Sequence, residues 1–286
     1  MKMKLILIVF ISTLSLCLSA YPVAVFHGIG DACSNSGMEN ISRYFSKQLG
    51  GVYVRCIESA GGLSDFVTSF KYQAEKACEE INSDPNFHGM FSVVGISQGA
   101  LLARYIIESC QMPGRVKRYV SIGGPQMGVG KVPHCENGFI CRILNGAASS
   151  VIYSSLIQNN VGPSGYFKDI SNYSSYLSYS TFLSELNNEK SEKDTSRKER
   201  FMNLENLVLI KFSSDSMIIP RETAWFQFYN EKFEVEPLTQ SAFYNEDFIG
   251  LRTLNEQDKI KFVELPGEHL HFGYYDIDDH MIPYLK

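Results

Sequence analysis

The chain has little with which to hold a polyanion. Of its 286 residues, 26 are lysine or arginine and 31 are acidic, a formal net charge of −5. Lys2 and Lys4 lie in the first few residues, so the rest is more acidic still. A surface of that sign offers no counter-charge to nucleic acid or to an anionic membrane. Beyond the N-terminus no apolar run is long enough for a membrane span, so no stable anchor is expected. No Gly-Lys-Ser/Thr completes a glycine-rich loop, which excludes a P-loop phosphate site. His269, His271, Asp276, Asp278, Asp279 and His280 crowd together, but at no zinc or calcium ligand spacing. Neither a metal nor a cofactor is therefore expected. Internal repeats are absent, and tryptophan occurs once, at Trp225.

Residues 1–20 read as a secretory signal peptide. Lys2 and Lys4 precede an apolar run over 5–18, and Cys17, Ser19 and Ala20 offer small residues for cleavage. The expectation is one domain over residues 21–286 that enters the secretory pathway. Its seven cysteines fall to six with the loss of Cys17, an even number suited to disulfides in an oxidising compartment. Cys78 and Cys110 each close a helical pattern, and in a doubly wound sheet neighbouring helices end at one edge, so these two are expected to pair. Cys135 and Cys141 flank a tight Glu-Asn-Gly segment and can form a local staple. Cys33 and Cys56 remain, either as a third bridge or as free thiols. With a signal peptide present, Asn40-Ile41-Ser42 and Asn172-Tyr173-Ser174 become candidate glycosylation sites.

Val-, Ile- and Phe-rich runs at 22–26, 52–57, 91–95, 116–122, 207–212 and 260–265 lack polar alternation, as strands covered on both faces do. Helical patterns at 38–49, 63–81 and 98–109 alternate with them. The fold class is α/β, a mainly parallel sheet with helices on both faces. The rhythm breaks at about 125–205, a stretch rich in apolar and aromatic residues that ends in a mixed-charge run. An insertion there lies over the C-terminal sheet edge, where such folds bind ligands. It reads as a helical lid, able to line an acyl groove or to form a core of its own.

Ser97 carries the strongest chemical signal. Gly95-Ile96-Ser97-Gln98-Gly99 follows a β-rich run and precedes a helix former, the context of a nucleophile elbow. A serine hydroxyl needs a base, and the base an orienting acid. In the α/β-hydrolase chain order, acid and then base follow later strands. Asp215, after the 207–212 strand, is the favoured acid, with a turn or cap role as its alternative. His269, after 260–265, is the favoured base, with His271 as competitor. The oxyanion hole is assigned to the N–H groups of Gln98 and of Ile29 in His27-Gly28-Ile29-Gly30-Asp31.

These residues resemble the palmitoyl-protein thioesterase family over nearly the whole chain after the leader. The likeness rests on His27–Asp31, on Gly95–Gly99, and on Ser121-Ile122-Gly123-Gly124. It continues in Lys211-Phe212 before Asp215-Ser216, in Glu222-Thr223-Ala224-Trp225-Phe226-Gln227-Phe228-Tyr229, and in Gly267-Glu268-His269-Leu270. The resemblance implies an α/β-hydrolase that removes long-chain acyl groups from cysteines of S-palmitoylated proteins or peptides, and also from palmitoyl-CoA, releasing the fatty acid. It implies Ser97, Asp215 and His269 as the triad, Cys78–Cys110 and Cys135–Cys141 as bridges, and a lysosomal or extracellular location. Three positions depart from the family pattern. Ala100 replaces a glycine, Pro125 follows Gly123-Gly124 in place of a polar residue, and a single Cys33 stands where the mammalian member has two cysteines. The rival readings are a secreted lipase or oxyester esterase with the same triad, and a non-catalytic lipid-binding protein.

Overall fold

The computed structural model describes residues 20–131 and 149–286. Its centre is a six-stranded parallel sheet: β1 (Val23–Phe26), β2 (Val54–Ile57), β3 (Met90–Ile96), β4 (Arg115–Ile122), β5 (Asn206–Phe212) and β8 (Ile260–Leu265), in the order β2-β1-β3-β4-β5-β8. All six strands expected from the apolar runs are present. The reason lies in their side chains. Leu207 and Leu209 enter one core, while Val208, Ile210 and Phe212 enter the other. Ala24 and Phe26 likewise oppose Val23 and Val25. A strand covered on both faces must be apolar at every position.

One core packs under α1 (Ser36–Gln48) and the C-terminal helix Tyr274–His280, through Met38, Phe45 and Ile277. The other packs under α3 (Phe70–Ser83), α4 (Gly99–Glu108) and the segment between β4 and β5. The 63–81 pattern, read as one helix, is two. A short α2 (Ser64–Val67) precedes α3, with Thr68 extended between them and the Ser69 hydroxyl capping α3 by accepting from the Tyr72 N–H at 3.2 Å. Leu63 and Val67, expected on the buried stripe, are exposed. The break is polar in origin: Asp65 is wholly buried and aims its carboxylate at backbone N–H groups rather than along a helix.

The segment between β4 and β5 lies against α3 and α4. Its described part includes helices Ser155–Asn160, Tyr173–Tyr179 and Thr195–Met202. Arg104 of α4 holds it down. Fully buried, Arg104 donates to Glu108 Oε1 at 2.8 Å, to the Gln126 carbonyl at 2.8 Å, to Asn187 Oδ1 at 3.0 Å and to the Leu186 carbonyl at 3.1 Å. The 222–229 stretch forms a 3₁₀ turn (Arg221–Trp225) and then enters a small hairpin of β6 (Phe228–Tyr229) and β7 (Val235–Glu236). Trp225 fixes that turn to the sheet by donating its indole N–H to the Leu209 carbonyl at 3.0 Å.

Two disulfides staple the described residues. Cys78–Cys110 joins the C-terminal parts of α3 and α4 as expected, and Cys33–Cys56 joins the loop after β1 to β2, which settles the open alternative against free thiols. Cys135 and Cys141 lie outside the described residues. No helix among those described is long and apolar enough to cross a membrane.

Candidate active site

Ser97 leaves β3 with a left-handed backbone, φ 52°. Its N–H donates to the Ile122 carbonyl at 2.8 Å, which ties the turn to the end of β4. The two flanking glycines are there for space. A Cβ on Gly95 would lie 2.3 Å from the Cα of Ala100, and one on Gly99 would lie 2.3 Å from the Phe26 carbonyl oxygen. The turn thus wedges between α4 and the neighbouring β1. The Ala100 methyl is accommodated because Gly124 faces it: a Cβ on Gly124 would meet the Ala100 Cβ at 2.3 Å.

Three loops from separate strands meet at this serine. His269 follows β8, and its Nε2 lies 2.9 Å from Ser97 Oγ. Its Nδ1 lies 2.6 Å from Oδ2 of Asp215, which follows β5. A carboxylate only accepts, so Nδ1 carries the proton and Nε2 is left to accept from the serine hydroxyl. Asp215 is nearly buried, and its Oδ1 accepts the N–H groups of Met217 and Ile218, both at 2.9 Å. The turn contacts weighed as an alternative and the contact to His269 thus coexist, one on each oxygen. Phe212 stands edge-on to the His269 ring, and Gly123 gives the ring room, since a Cβ there would press on its Cε1 at 3.1 Å. Ser97 is 6% exposed and the His269 side chain 12% exposed, so neither is sealed from solvent.

The loop after β1 lies against the serine. A Cβ on Gly28 would come within 3.3 Å of the Ser97 Cβ. Among the described residues, the N–H groups of Ile29 and Gln98 donate to no partner. The Gln98 side chain faces away from the hydroxyl. It donates to Gln73 Oε1 at 3.1 Å and accepts from the Tyr166 hydroxyl at 2.9 Å, so the β4–β5 segment reaches the elbow itself.

Other candidates have different partners. His27 is buried beside Glu58, at 2.7 Å. In the C-terminal cluster, Asp276 accepts from the Gly273 N–H and Asp278 from the Tyr44 hydroxyl. His27, Cys33 and Glu58 approach one another closely enough to hold a cation, but the Cys33 sulfur is spent in a disulfide. Asn40 is exposed on α1, and Asn172 caps Tyr173–Tyr179 by accepting from the Ser175 N–H at 3.3 Å. Sequence reasoning passed over Asp65 and the buried Lys168–Glu189 pair. A charged residue in an apolar helical pattern was the signal for the former. The pair lines a cavity of about 750 Å³ between the β4–β5 segment and the β6–β7 hairpin, and no triad residue is in its wall.

A parallel sheet in this order, with a serine on a left-handed elbow and a histidine and aspartate from later strands, defines an α/β-hydrolase. The sequence comparisons narrow the class. The palmitoyl protein thioesterase family model matches residues 22–269, and the chain belongs to that family. It is a thioester hydrolase. Palmitoyl-protein thioesterase 1 of Caenorhabditis elegans is 31% identical over 258 residues, covering 87% of this chain and 86% of that protein. Palmitoyl-protein thioesterase 3 of Dictyostelium discoideum is 31% identical over 266 residues, covering 92% and 89%. A Drosophila melanogaster protein, "Lysosomal thioesterase PPT2 homolog", is 28% identical over 284 residues, covering 96% and 95%.

Proposed function

We propose that this enzyme cleaves palmitoyl and similar long-chain acyl groups from cysteine side chains of S-acylated proteins, through an acyl-serine intermediate. The observation that carries the reading is the continuous relay from Ser97 Oγ through His269 to Asp215, at 2.9 and 2.6 Å, within a chain of this family. His269 Nε2 takes the serine proton as Oγ attacks the thioester carbonyl. The charge that develops on the carbonyl oxygen meets the N–H groups of Ile29 and Gln98. The C–S bond breaks, and His269 returns the proton to the departing sulfur; a cysteine thiol, with a pKa of about 8.5, leaves readily. Water, deprotonated by the same histidine, then releases the fatty acid and restores Ser97.

The β4–β5 segment acts as the lid. Tyr166 reaches Gln98 beside the nucleophile, which brings this segment to the reacting serine. The two disulfides and the apolar, lysine-flanked leader support passage through the secretory pathway to lysosomes or out of the cell. Asn40, exposed on α1, and Asn172 are candidate acceptors of glycans there.

Hydrolysis of a palmitoyl-cysteine peptide by wild type and by Ser97→Ala tests the mechanism, alongside the matching O-palmitoyl-serine peptide. Wild type is expected to favour the thioester and Ser97→Ala to lose activity on both. Equal turnover by the variant would refute the role of Ser97. Preference for the oxyester would replace the thioesterase reading by the esterase one.

A further inference from the structure

Asp65 has no place in the relay, yet it is a wholly buried carboxylate bonded directly to the loop that carries Ile29. Its Oδ2 accepts the Gly30 N–H at 2.9 Å and its Oδ1 accepts the Gly61 N–H at 2.9 Å. Both donors are backbone groups of glycines with positive φ, at 78° and 79°. The carboxylate thus binds the loop after β1 to the loop after β2. Burial pushes its carboxyl pKa up, against the pull of the Gly30 and Gly61 N–H groups.

The other side of Ile29 is held as well. His27 is buried, and its Nδ1 lies 2.9 Å from the Gly28 carbonyl oxygen, which can only accept. Glu58 holds the far nitrogen of the ring at 2.7 Å and is itself fixed by the Cys33 N–H at 2.8 Å. The Gly28 carbonyl and the Ile29 N–H belong to one trans peptide and point in opposite directions. Drawing that carbonyl toward His27 turns the Ile29 N–H the other way. The second donor, Gln98, is tied to the same short helix. Gln73 Nε2 donates to the backbone carbonyls of Asp65 and Thr68, both at 2.9 Å, and its Oε1 accepts from Gln98 at 3.1 Å.

We propose that Asp65 is a positioning residue for the oxyanion hole: together with His27 it clamps the backbone on either side of Ile29 and aims the Ile29 N–H at the reacting carbonyl oxygen. The inference rests on the proposed role of Ser97 and extends it to residues that never touch substrate. Asn at position 65 keeps the shape but has one acceptor oxygen for two N–H groups, so one half of the bridge is lost.

The test is Asp65→Asn in the full-length enzyme, with every rate normalised to Ser97 sites titrated to completion by a fluorophosphonate. The probe of the hole is a palmitoyl trifluoromethyl ketone, which takes the Ser97 oxygen and leaves a charged oxygen where the oxyanion forms. The expected result is a fall in kcat per titrated site of about 10- to 100-fold, less than or equal to the loss of a whole donor. KM stays within about twofold, as for an interaction felt in the transition state, and ketone affinity falls by the factor lost in kcat/KM. A purely structural role would lower the number of titrated sites and leave kcat per site and ketone affinity intact, which would overturn the proposal. So would a rise in KM alone. If Asp65→Asn does not accumulate, His27→Phe removes the opposite half of the clamp and must give the same pattern. Ser97→Ala keeps the two ideas apart: an active Ser97→Ala sinks the mechanism and the clamp with it, whereas an inactive Ser97→Ala beside a fully active Asp65→Asn sinks the clamp alone.

Discussion

Asp215 divides its two oxygens between His269 and the backbone of its own turn. One meets His269, and the other accepts the Met217 and Ile218 N–H groups. That division separates two outcomes that mutagenesis usually mixes. Asp215→Asn retains an acceptor for the turn but offers His269 an amide in place of a carboxylate, favouring the wrong tautomer. The expected loss in kcat is about 10⁴-fold, with a melting temperature within a few degrees of wild type. Activity and thermal melting of one preparation check both; a large drop in melting with modest loss of kcat would reverse the assignment. Ser97 itself was legible in the sequence because its elbow is built locally from two glycines and a strand-to-helix junction. The Ser97 φ of 52° is the visible result of that junction. Asp65 and His27 were legible only as residue types, because the Gly30 N–H that Asp65 accepts and the Glu58 carboxylate beside His27 are far away in the chain and are brought close by the parallel pairing of β1 with β2.

At the level of elements, α4 does two things. Its N-terminus follows Ser97, the proposed nucleophile, and its middle anchors the β4–β5 segment through Arg104. Arg104 and Glu108 are both fully buried, and Arg104 also stacks over Phe226 with its guanidinium carbon 5.0 Å from the ring centroid. Removing the cation alone would strand the Glu108 carboxylate and several carbonyl oxygens. Arg104→Leu is expected to destabilise by about 3–5 kcal/mol in chemical denaturation, and pairing it with Glu108→Leu to recover part of that loss. No recovery in the double variant would mean that the contacts to Gln126, Leu186 and Asn187 dominate. A second junction is pH-dependent. Burial alone would raise the pKa of Asp84, but hydrogen bonds from the Tyr53 hydroxyl, the Asn86 N–H and Arg55 outweigh it and hold the carboxyl well below its ordinary value. A depressed folded-state pKa contributes stability that is fully present above the unfolded value, about 4, and is lost as pH falls through the folded value. The melting deficit of Asp84→Asn should therefore be largest near neutrality and shrink below about pH 4. A deficit unchanged between neutral and acidic buffer would count against this account.

In the whole molecule, the chemistry sits at one edge of the sheet and a covalent staple at the other. Cys78–Cys110 spans 32 residues and ties the ends of α3 and α4 that lie away from Ser97. The double substitution Cys78→Ala, Cys110→Ala is expected to lower stability by about 3–4 kcal/mol, while kcat at 25 °C changes little. Urea denaturation and turnover of the same variant test this, and a matching collapse of kcat would show that the bridge reaches the site. The helix from 63 to 81 shows why some of the fold was misread. Its apolar spacing fits one helix, but the buried Asp65 carboxylate accepts the Gly30 and Gly61 N–H groups while the Gln73 side chain donates to the Asp65 and Thr68 carbonyls, and the chain breaks at Thr68. By itself the sequence determined the strands and the strand-to-helix junction at Ser97, and it placed Asp215 and His269 after later strands, where an acid and a base are expected. Those features follow from short-range rules: apolar runs for strands covered twice, glycines for close approach, turn residues at strand ends. The tertiary structure alone decided which buried polar groups meet. It paired Cys33 with Cys56, set Arg104 against the β4–β5 segment, and brought Asp65 to the oxyanion loop. A polar side chain in the core takes whatever partner the topology places beside it, and such partners are far away in the chain.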